Sequence, residues 1–316
     1  MTINNKKDLK IMFMGTPDIA RTALKKLIDE KFLVECVVTQ PDKPKGRGHK
    51  MVPTQVKEEA MLHNIDVYQP ETLKNNELLP ILNKYSPDII IVVAYGKILP
   101  EYVLNFPKYG CINMHASLLP KYRGAAPIQW SILNGDEYTG VTTMKMDKGL
   151  DTGDMLISEK IKIDEYETSE ELFEKMANLG ADVLVKTILN IEKITPVAQN
   201  EELQTYAPMI TKEMGKIDWN KTTNEISKHI CGMNSWPMAH TTYKGEILKV
   251  IKARKCFDEL QGENGKIIKY EKKKGLLVKT SDGGMWIDVI QFAGSKRMSV
   301  DDYLLGHSIE IGEILK

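Results

Sequence analysis

The chain has 316 residues, of which 42% are hydrophobic, and a formal net charge of zero, with 43 Lys and Arg against 43 Asp and Glu. This composition is ordinary for a globular protein of about two domains and excludes collagen-like repeats, intrinsic disorder and a strongly basic tail. The longest apolar run, Ile89–Tyr95, is far short of the ~20 residues a bilayer-spanning helix needs, so no membrane span is expected.

The predicted elements alternate through the first half. Leu9–Met14 reads as a strand ending at the turn Gly15-Thr16-Pro17-Asp18. A helix is expected over 18–30, with Ala23, Leu24, Leu27 and Ile28 on one face, and a second strand over 32–39. Helices are expected over 54–64 and 78–84. The branched run 88–94 reads as a central parallel strand buried on both sides, and 111–115 as another strand. Val141–Met146 and 155–163 are expected to form a hairpin around the Gly- and Asp-rich loop 147–153. Thr168 and Glu171 form a capping box for a helix to about 192.

This order predicts an open, doubly wound, mostly parallel α/β sheet as a catalytic domain over 1–192. Residues 193–208 hold Pro196 and Pro208 and show no period, so they read as a linker. Beyond it, one helix over 223–233 and short strands at 247–252, 265–270, 275–280 and 285–291 suggest a small, OB-like β-barrel over 209–316. Residues 209–316 carry 18 basic and 14 acidic side chains, a net of +4 that leaves −4 for the rest. Such a split hints at an anionic partner.

The MTINNKKDLK segment has no apolar core behind its lysines, so no signal peptide is expected. Cys36, Cys111, Cys231 and Cys256 form no CxxC and no HExxH occurs, so reduced thiols in a cytoplasm and no metal site are expected. The first turn, GTPD, is neither GxGxxG nor GxxxxGK[ST], which argues against a dinucleotide cradle or a P-loop.

Two stretches carry chemistry. In Cys111–Pro120 (CINMHASLLP), strand alternation points Asn113 and His115 to one face. An amide and an imidazole there can donate to an oxyanion at an acyl carbon, although an isolated NxH is more often a satisfied polar pair. In 146–154, three carboxylates, Asp147, Asp151 and Asp154, lie in a Gly-flanked loop. One beside His115 would favour the protonated imidazole. Spacing alone does not choose among the three, and loop acids are commonly turn formers.

Taken together, MGTPD (14–18), TQPD (39–42), VVAYG (92–96), GCINMHASLLPKYRGAAPIQ (110–129), GLDTGD (149–154) and NSWP (234–237) resemble the methionyl-tRNA formyltransferases, within the wider family of 10-formyltetrahydrofolate-dependent formyltransferases. The likeness spans nearly the whole chain, and the 36-residue separation of His115 and Asp151 fits it. The resemblance implies roles for particular residues. Asn113, His115 and Asp151 would be catalytic, the first two on the developing oxyanion and Asp151 holding the imidazole and an ordered water while relaying protons. Ser117, Leu118, Leu119 and Pro120 would bind the folate, two leucines and a proline as an apolar wall and backbone amides on the pterin edge, with the 92–96 strand end as another side. The flexible basic loop 41–50 would contact the tRNA acceptor stem through Arg47, with Lys43, Lys45 and Lys50. The C-terminal barrel, with Lys266, Lys269, Lys272, Lys273, Lys274 and Lys279, would position tRNA; Trp236-Pro237 reads as packing.

The implied partners are methionyl-initiator-tRNA and folate, with 10-formyltetrahydrofolate as formyl donor, no metal, and a monomeric cytoplasmic enzyme of translation initiation. Formyl transfer to glycinamide ribonucleotide or a sugar amine, hydrolysis of the donor, and a non-catalytic RNA-binding module are the competing readings.

Overall fold

A computed structural model describes residues 6–45 and 50–316. It contains two compact units. The first comprises residues up to Pro127 with Thr139–Ile161 and Phe173–Ala207; the second comprises Ile128–Tyr138, Lys162–Leu172 and Pro208–Lys316.

The first part of the chain runs β1 (Ile11–Gly15), α1 (Asp18–Asp29), β2 (Val34–Val38), β3 (Lys43–Lys45), β4 (Lys50–Val52), α2 (Gln55–Leu62), β5 (Asp66–Tyr68), α3 (Leu79–Tyr85), β6 (Ile89–Val93), α4 (Glu101–Leu104) and β7 (Cys111–His115). It continues through β8 (Arg123–Gly124), α5 (Pro127–Leu133), β9 (Tyr138–Lys145), β10 (Asp154–Lys162), α6 (Ser169–Asn190) and β11 (Tyr206–Ala207). Seven strands form one sheet in the order β10-β9-β7-β6-β1-β2-β5. The five from β7 to β5 are mutually parallel, and β9 runs antiparallel to β7.

Every residue of β1, β6 and β7 is buried, as continuous apolar strands covered on both faces must be. The helices supply that cover with amphipathic faces: Ile19, Ala20, Ala23, Leu24 and Leu27 of α1 are all buried. The expected capping box starts α6, where Thr168 and Glu171 exchange hydrogen bonds of 2.9 and 3.3 Å. Short elements without a clear period escaped sequence reasoning, namely β5, α4, α5, β8 and β11.

Three motif turns meet at the strand ends. The Tyr95 carbonyl accepts from Thr16 Oγ1 at 3.2 Å and from Gln40 Nε2 at 3.0 Å. The GTPD, TQPD and VVAYG segments therefore lock the C-terminal ends of β1, β2 and β6 together.

Of residues 193–208, expected to form a linker, 193–207 belong to the first unit's fabric. Val197 bridges Met155, Glu201–Leu203 make a 3-10 turn, and β11 pairs in parallel with β8.

The second unit contains α7 (Thr223–Gly232), β12 (His240–Tyr243), β13 (Glu246–Cys256), β14 (Ile267–Glu271), β15 (Gly275–Lys279), β16 (Gly284–Phe292), β17 (Met298–Ser299) and α8 (Val300–Tyr303). Its antiparallel sheet runs β12-β13-β16-β15-β14, with β17 on β16. The C-terminal residues join the two edges. Ile267 N donates to Glu313 O at 2.8 Å and Leu315 N to Gly265 O at 2.9 Å, while Lys316 exchanges backbone bonds with Thr242 at 2.7 and 3.1 Å. Edge groups are thereby paired, which is how a small barrel avoids open edges. Leu248, Val250, Ile267, Leu276, Val278, Met285, Ile287 and Ile290 fill its interior.

Candidate active site

β7 ends the run of parallel strands and delivers Asn113 and His115, both more than nine-tenths buried. His115 Nε2 lies 2.9 Å from the Tyr122 carbonyl. A carbonyl only accepts, so Nε2 carries the proton and donates. Nδ1 then faces Asp151 Oδ2 at 3.6 Å, beyond direct hydrogen-bond length. Asn113 Nδ2 sits 3.5 Å from Asp151 Oδ1. Asp151 Oδ2 also accepts from Gly124 N at 2.8 Å. The structure thus brings two of the three groups expected to be catalytic, Asn113 and His115, around the third, the Asp151 carboxylate.

The choice among the three loop acids is made by turn geometry. Asp147 Oδ1 accepts from Gly149 N at 3.0 Å and Thr152 Oγ1 at 2.6 Å, so it closes the turn. Asp154 is exposed at the start of β10. Asp151 alone turns inward, with φ +55, a left-handed conformation unfavourable for a residue with a Cβ. Gly153 is required beside it: a Cβ there would lie 1.9 Å from the Lys145 carbonyl.

The expected folate segment is rigidly tied. Thr142, opposite His115 on β9, donates to Ser117 O at 2.8 Å and accepts from Leu119 N at 3.2 Å. Ser117 Oγ donates to Lys121 O at 2.6 Å, and the Leu119–Pro120 peptide is cis. The Leu119 amide, expected to be available to a pterin edge, is therefore committed to Thr142. Ser117 and Leu119 are buried, whereas Leu118 and Pro120 are half-buried and form the accessible apolar wall.

The expected flexible basic loop is in part a ribbon, since β3 and β4 pair antiparallel with Lys43 opposite Val52 and Lys45 opposite Lys50. Lys43 is exposed; Arg47 lies outside the described residues. At the ribbon's root, Asp42 accepts from Lys57 Nζ and Gln69 Nε2, both at 2.7 Å. These bonds hold its carboxyl below the usual range. In the barrel, Lys272, Lys273 and Lys274 are exposed, with Lys274 paired to Glu271 at 2.6 Å. Trp236, expected to be packing, is 57% exposed; it sits on the turn after α7 rather than in the core. The four cysteines are free and buried. Among the described residues, no helix is long and apolar enough to cross a membrane, and no cluster of His, Cys, Asp and Glu could hold a metal ion.

Sequence reasoning missed Tyr122, Thr142, Arg123 and Gln199. Arg123 is buried and donates to Gln199, Glu201 and Gln204. Gln199 donates to the carbonyls of Asp151 and Gly153, each at 2.8 Å. Arg123 stood only as part of the GCINMHASLLPKYRGAAPIQ run, with nothing in the spacing to give it a role. Gln199 stands in a stretch with no pattern at all.

An α/β sheet that sets an amide, an imidazole and a carboxylate at its strand ends, beside an apolar wall, defines an enzyme that handles an acyl carbon and its oxyanion. Residues 9–188 match the formyl transferase family and 209–308 its C-terminal domain, and the chain belongs to this family. It is similar along its length to methionyl-tRNA formyltransferases. That of Alkaliphilus oremlandii is 51% identical over 309 residues, 97% of this chain and 99% of that protein. That of Clostridioides difficile is 48% identical over 97% of this chain and 100% of that protein. Among solved structures, an N-formyltransferase from Helicobacter canadensis, in complex with folinic acid and dTDP-3-aminofucose, shares the fold with a TM-score of 0.66 at 22% identity, covering 92% of this chain and all of that one. HypX from Aquifex aeolicus, in complex with tetrahydrofolic acid, has a TM-score of 0.63 at 16% identity over 94% of this chain and 47% of its own.

Proposed function

We propose that this chain transfers the formyl group of 10-formyltetrahydrofolate to the amino group of methionyl-initiator-tRNA, giving N-formylmethionyl-tRNA for translation initiation. The carrying observation is the convergence of Asn113 and His115 on Asp151 within a chain 51% identical to a methionyl-tRNA formyltransferase along its length.

In this reading the amine nitrogen attacks the formyl carbon and a C–N bond forms. The carbonyl oxygen becomes an oxyanion that accepts from Asn113 Nδ2 and from His115 Nδ1 once that nitrogen also carries a proton. The Tyr122 carbonyl keeps Nε2–H engaged, so the ring presents only its Nδ1 edge to the reaction. The Asp151 carboxylate lies beside that edge, 3.6 Å from Nδ1. As the bond to N10 breaks, one proton moves from the amine by way of Asp151 to N10, and tetrahydrofolate leaves. Buried and preoriented, these donors cost no reorganisation at the moment of reaction.

Leu118 and Pro120 offer the folate an apolar face, with Ser117 and Leu119 fixing the backbone beneath. Lys43, Lys45, Arg47 and Lys50 of the basic segment 41–50 meet the acceptor stem, and the barrel lysines contribute phosphate contacts. The first unit, with residues 193–207 packed into it, carries the chemistry and 209–316 supports tRNA; the working unit is a cytoplasmic monomer.

Incubation with 10-formyltetrahydrofolate and methionyl-tRNA, against glycinamide ribonucleotide, a sugar amine and buffer alone, tests this. Formyl-methionyl-tRNA is the expected product. Formylation of a small amine with no formylated tRNA, or release of formate at the same rate in buffer, would overturn it. Light scattering should give the mass of one chain.

A further inference from the structure

Arg123 is an unusual residue for a buried position. Its side chain is only 6% exposed, and a buried guanidinium is costly unless its donors are met. Here every arm of the fork finds an acceptor. Nε and Nη2 donate to Gln199 Oε1 at 3.0 and 2.8 Å. Nη1 and Nη2 grip Glu201 at 3.0 and 2.7 Å, and Nη1 also reaches Gln204 Oε1 at 2.9 Å. The Glu201 carboxyl is held below its usual range by that bond.

The consequence falls on Gln199. Arginine has only donors, so the amide oxygen of Gln199 must face it and the amide NH2 must face away. That NH2 lands on two main-chain carbonyls of the catalytic loop, Asp151 O and Gly153 O. The first belongs to the residue held at φ +55, a left-handed conformation that gains from outside support.

Arg123's neighbours complete the picture. The Tyr122 carbonyl takes His115 Nε2, and the Gly124 amide donates to Asp151 Oδ2. The 122–124 tripeptide is itself fastened to residues 205–207: Tyr122 N donates to Thr205 Oγ1 at 2.8 Å and Arg123 N to Thr205 O at 2.9 Å.

We infer that Arg123 and Gln199 are positioning residues for formyl transfer: the guanidinium sets the polarity of the Gln199 amide, and the amide holds the Asp151 backbone in the left-handed turn that aims its carboxylate at Asn113 and His115. The inference rests on the proposed role of Asp151 in that reaction. It also explains why 193–207 packs into the first unit.

Gln199→Glu isolates the link. A carboxylate keeps its partnership with Arg123 but has no donor for the Asp151 and Gly153 carbonyls. A displacement of the catalytic group by a fraction of an ångström to 1 Å costs up to about 100-fold in rate. We expect kcat to fall about 10- to 100-fold, with both KM values within about threefold, since neither substrate contact is touched. A merely structural defect would instead lower Tm and raise the KM values together with the fall in kcat. The decisive measurement is a double-mutant cycle with Asp151→Asn under single-turnover conditions. If Gln199 works through Asp151, Gln199→Glu adds little further loss in the Asp151→Asn background.

Equal losses in both backgrounds, or a Gln199→Glu enzyme within about twofold of the parent, overturn the inference while leaving the Asp151 assignment intact. A fully active Asp151→Asn enzyme instead overturns that assignment. If Gln199→Glu loses its cooperative unfolding transition, the same cycle with Arg123→Lys decides, since lysine keeps the charge and lacks the fork.

Discussion

Two stretches border the same carboxylate and could hardly look more different as sequence. Residues 111–154 are dense in pattern: a buried strand, an alternating amide and imidazole, a Gly-bracketed acid. Residues 193–207 have no period and no motif, yet Gln199 and Thr205 hold the first stretch in place. The contrast teaches that the groups proposed to react stand in patterned sequence, while the groups proposed to aim them are recruited from wherever the chain passes. The largest effects of mutation should therefore fall in the legible stretch.

His115→Ala and Asp151→Asn should each lower kcat about 10³- to 10⁴-fold, as loss of proton-transfer and oxyanion groups does, with Tm little changed. Near-normal turnover by rapid-quench assay would remove both residues from the chemistry. Next comes Gly153→Ala. Its Cβ would stand 1.9 Å from the Lys145 carbonyl, which cannot yield without moving β9 or the loop. A loss of about 2 kcal/mol or more in urea unfolding is expected, with activity falling alongside. Retained stability would mean that the loop shifts freely and that the Asp151 turn is not rigid.

Smaller effects test the supports. Thr142→Val removes the hydroxyl shared by Ser117 O and Leu119 N inside the sheet. About 1–2 kcal/mol of stability should go, since two buried polar groups lose their partner. KM for the folate donor should rise while KM for tRNA stays. Arg47→Ala, in the basic loop, should do the reverse, raising KM for methionyl-tRNA roughly tenfold, about 1.4 kcal/mol, with folate affinity unchanged. Equal effects on both substrates in either variant would collapse the distinction between a folate wall and an RNA ribbon.

The same physics decides what was legible. The parallel strands and main helices could be read because burial on two faces, or on one stripe, leaves a mark in every few residues. Asn113 and His115 could be paired from strand alternation alone. Asp151 could not be told from Asp147 and Asp154 by spacing; the turn that points one inward and two outward is a matter of backbone conformation. β8 and β11 are two residues each, too short for any period. Nothing local marks Arg123 as buried, and its three acceptors lie 76 to 81 residues away.

Asp42 offers the same division at another motif and the smallest of these effects. TQPD is a legible turn, but what holds it are Lys57 and Gln69, which nothing in the sequence marks. Because those bonds depress the Asp42 carboxyl in the folded state, its contribution to stability is present above the ordinary aspartate value of about 3.9 and disappears as pH falls through the lower folded value. Lys57→Met removes the larger of the two causes. The Tm gap between parent and variant should therefore be open at pH 7 and close progressively on acidification below about pH 4, where Asp42 is protonated in both. The pair is partly exposed, so the gap should also narrow in high salt. A gap of constant size down to pH 3 would show that Lys57 supports the ribbon's root through packing of its aliphatic stem rather than through charge, and the parallel with Gln199 would then hold for geometry but not for electrostatics.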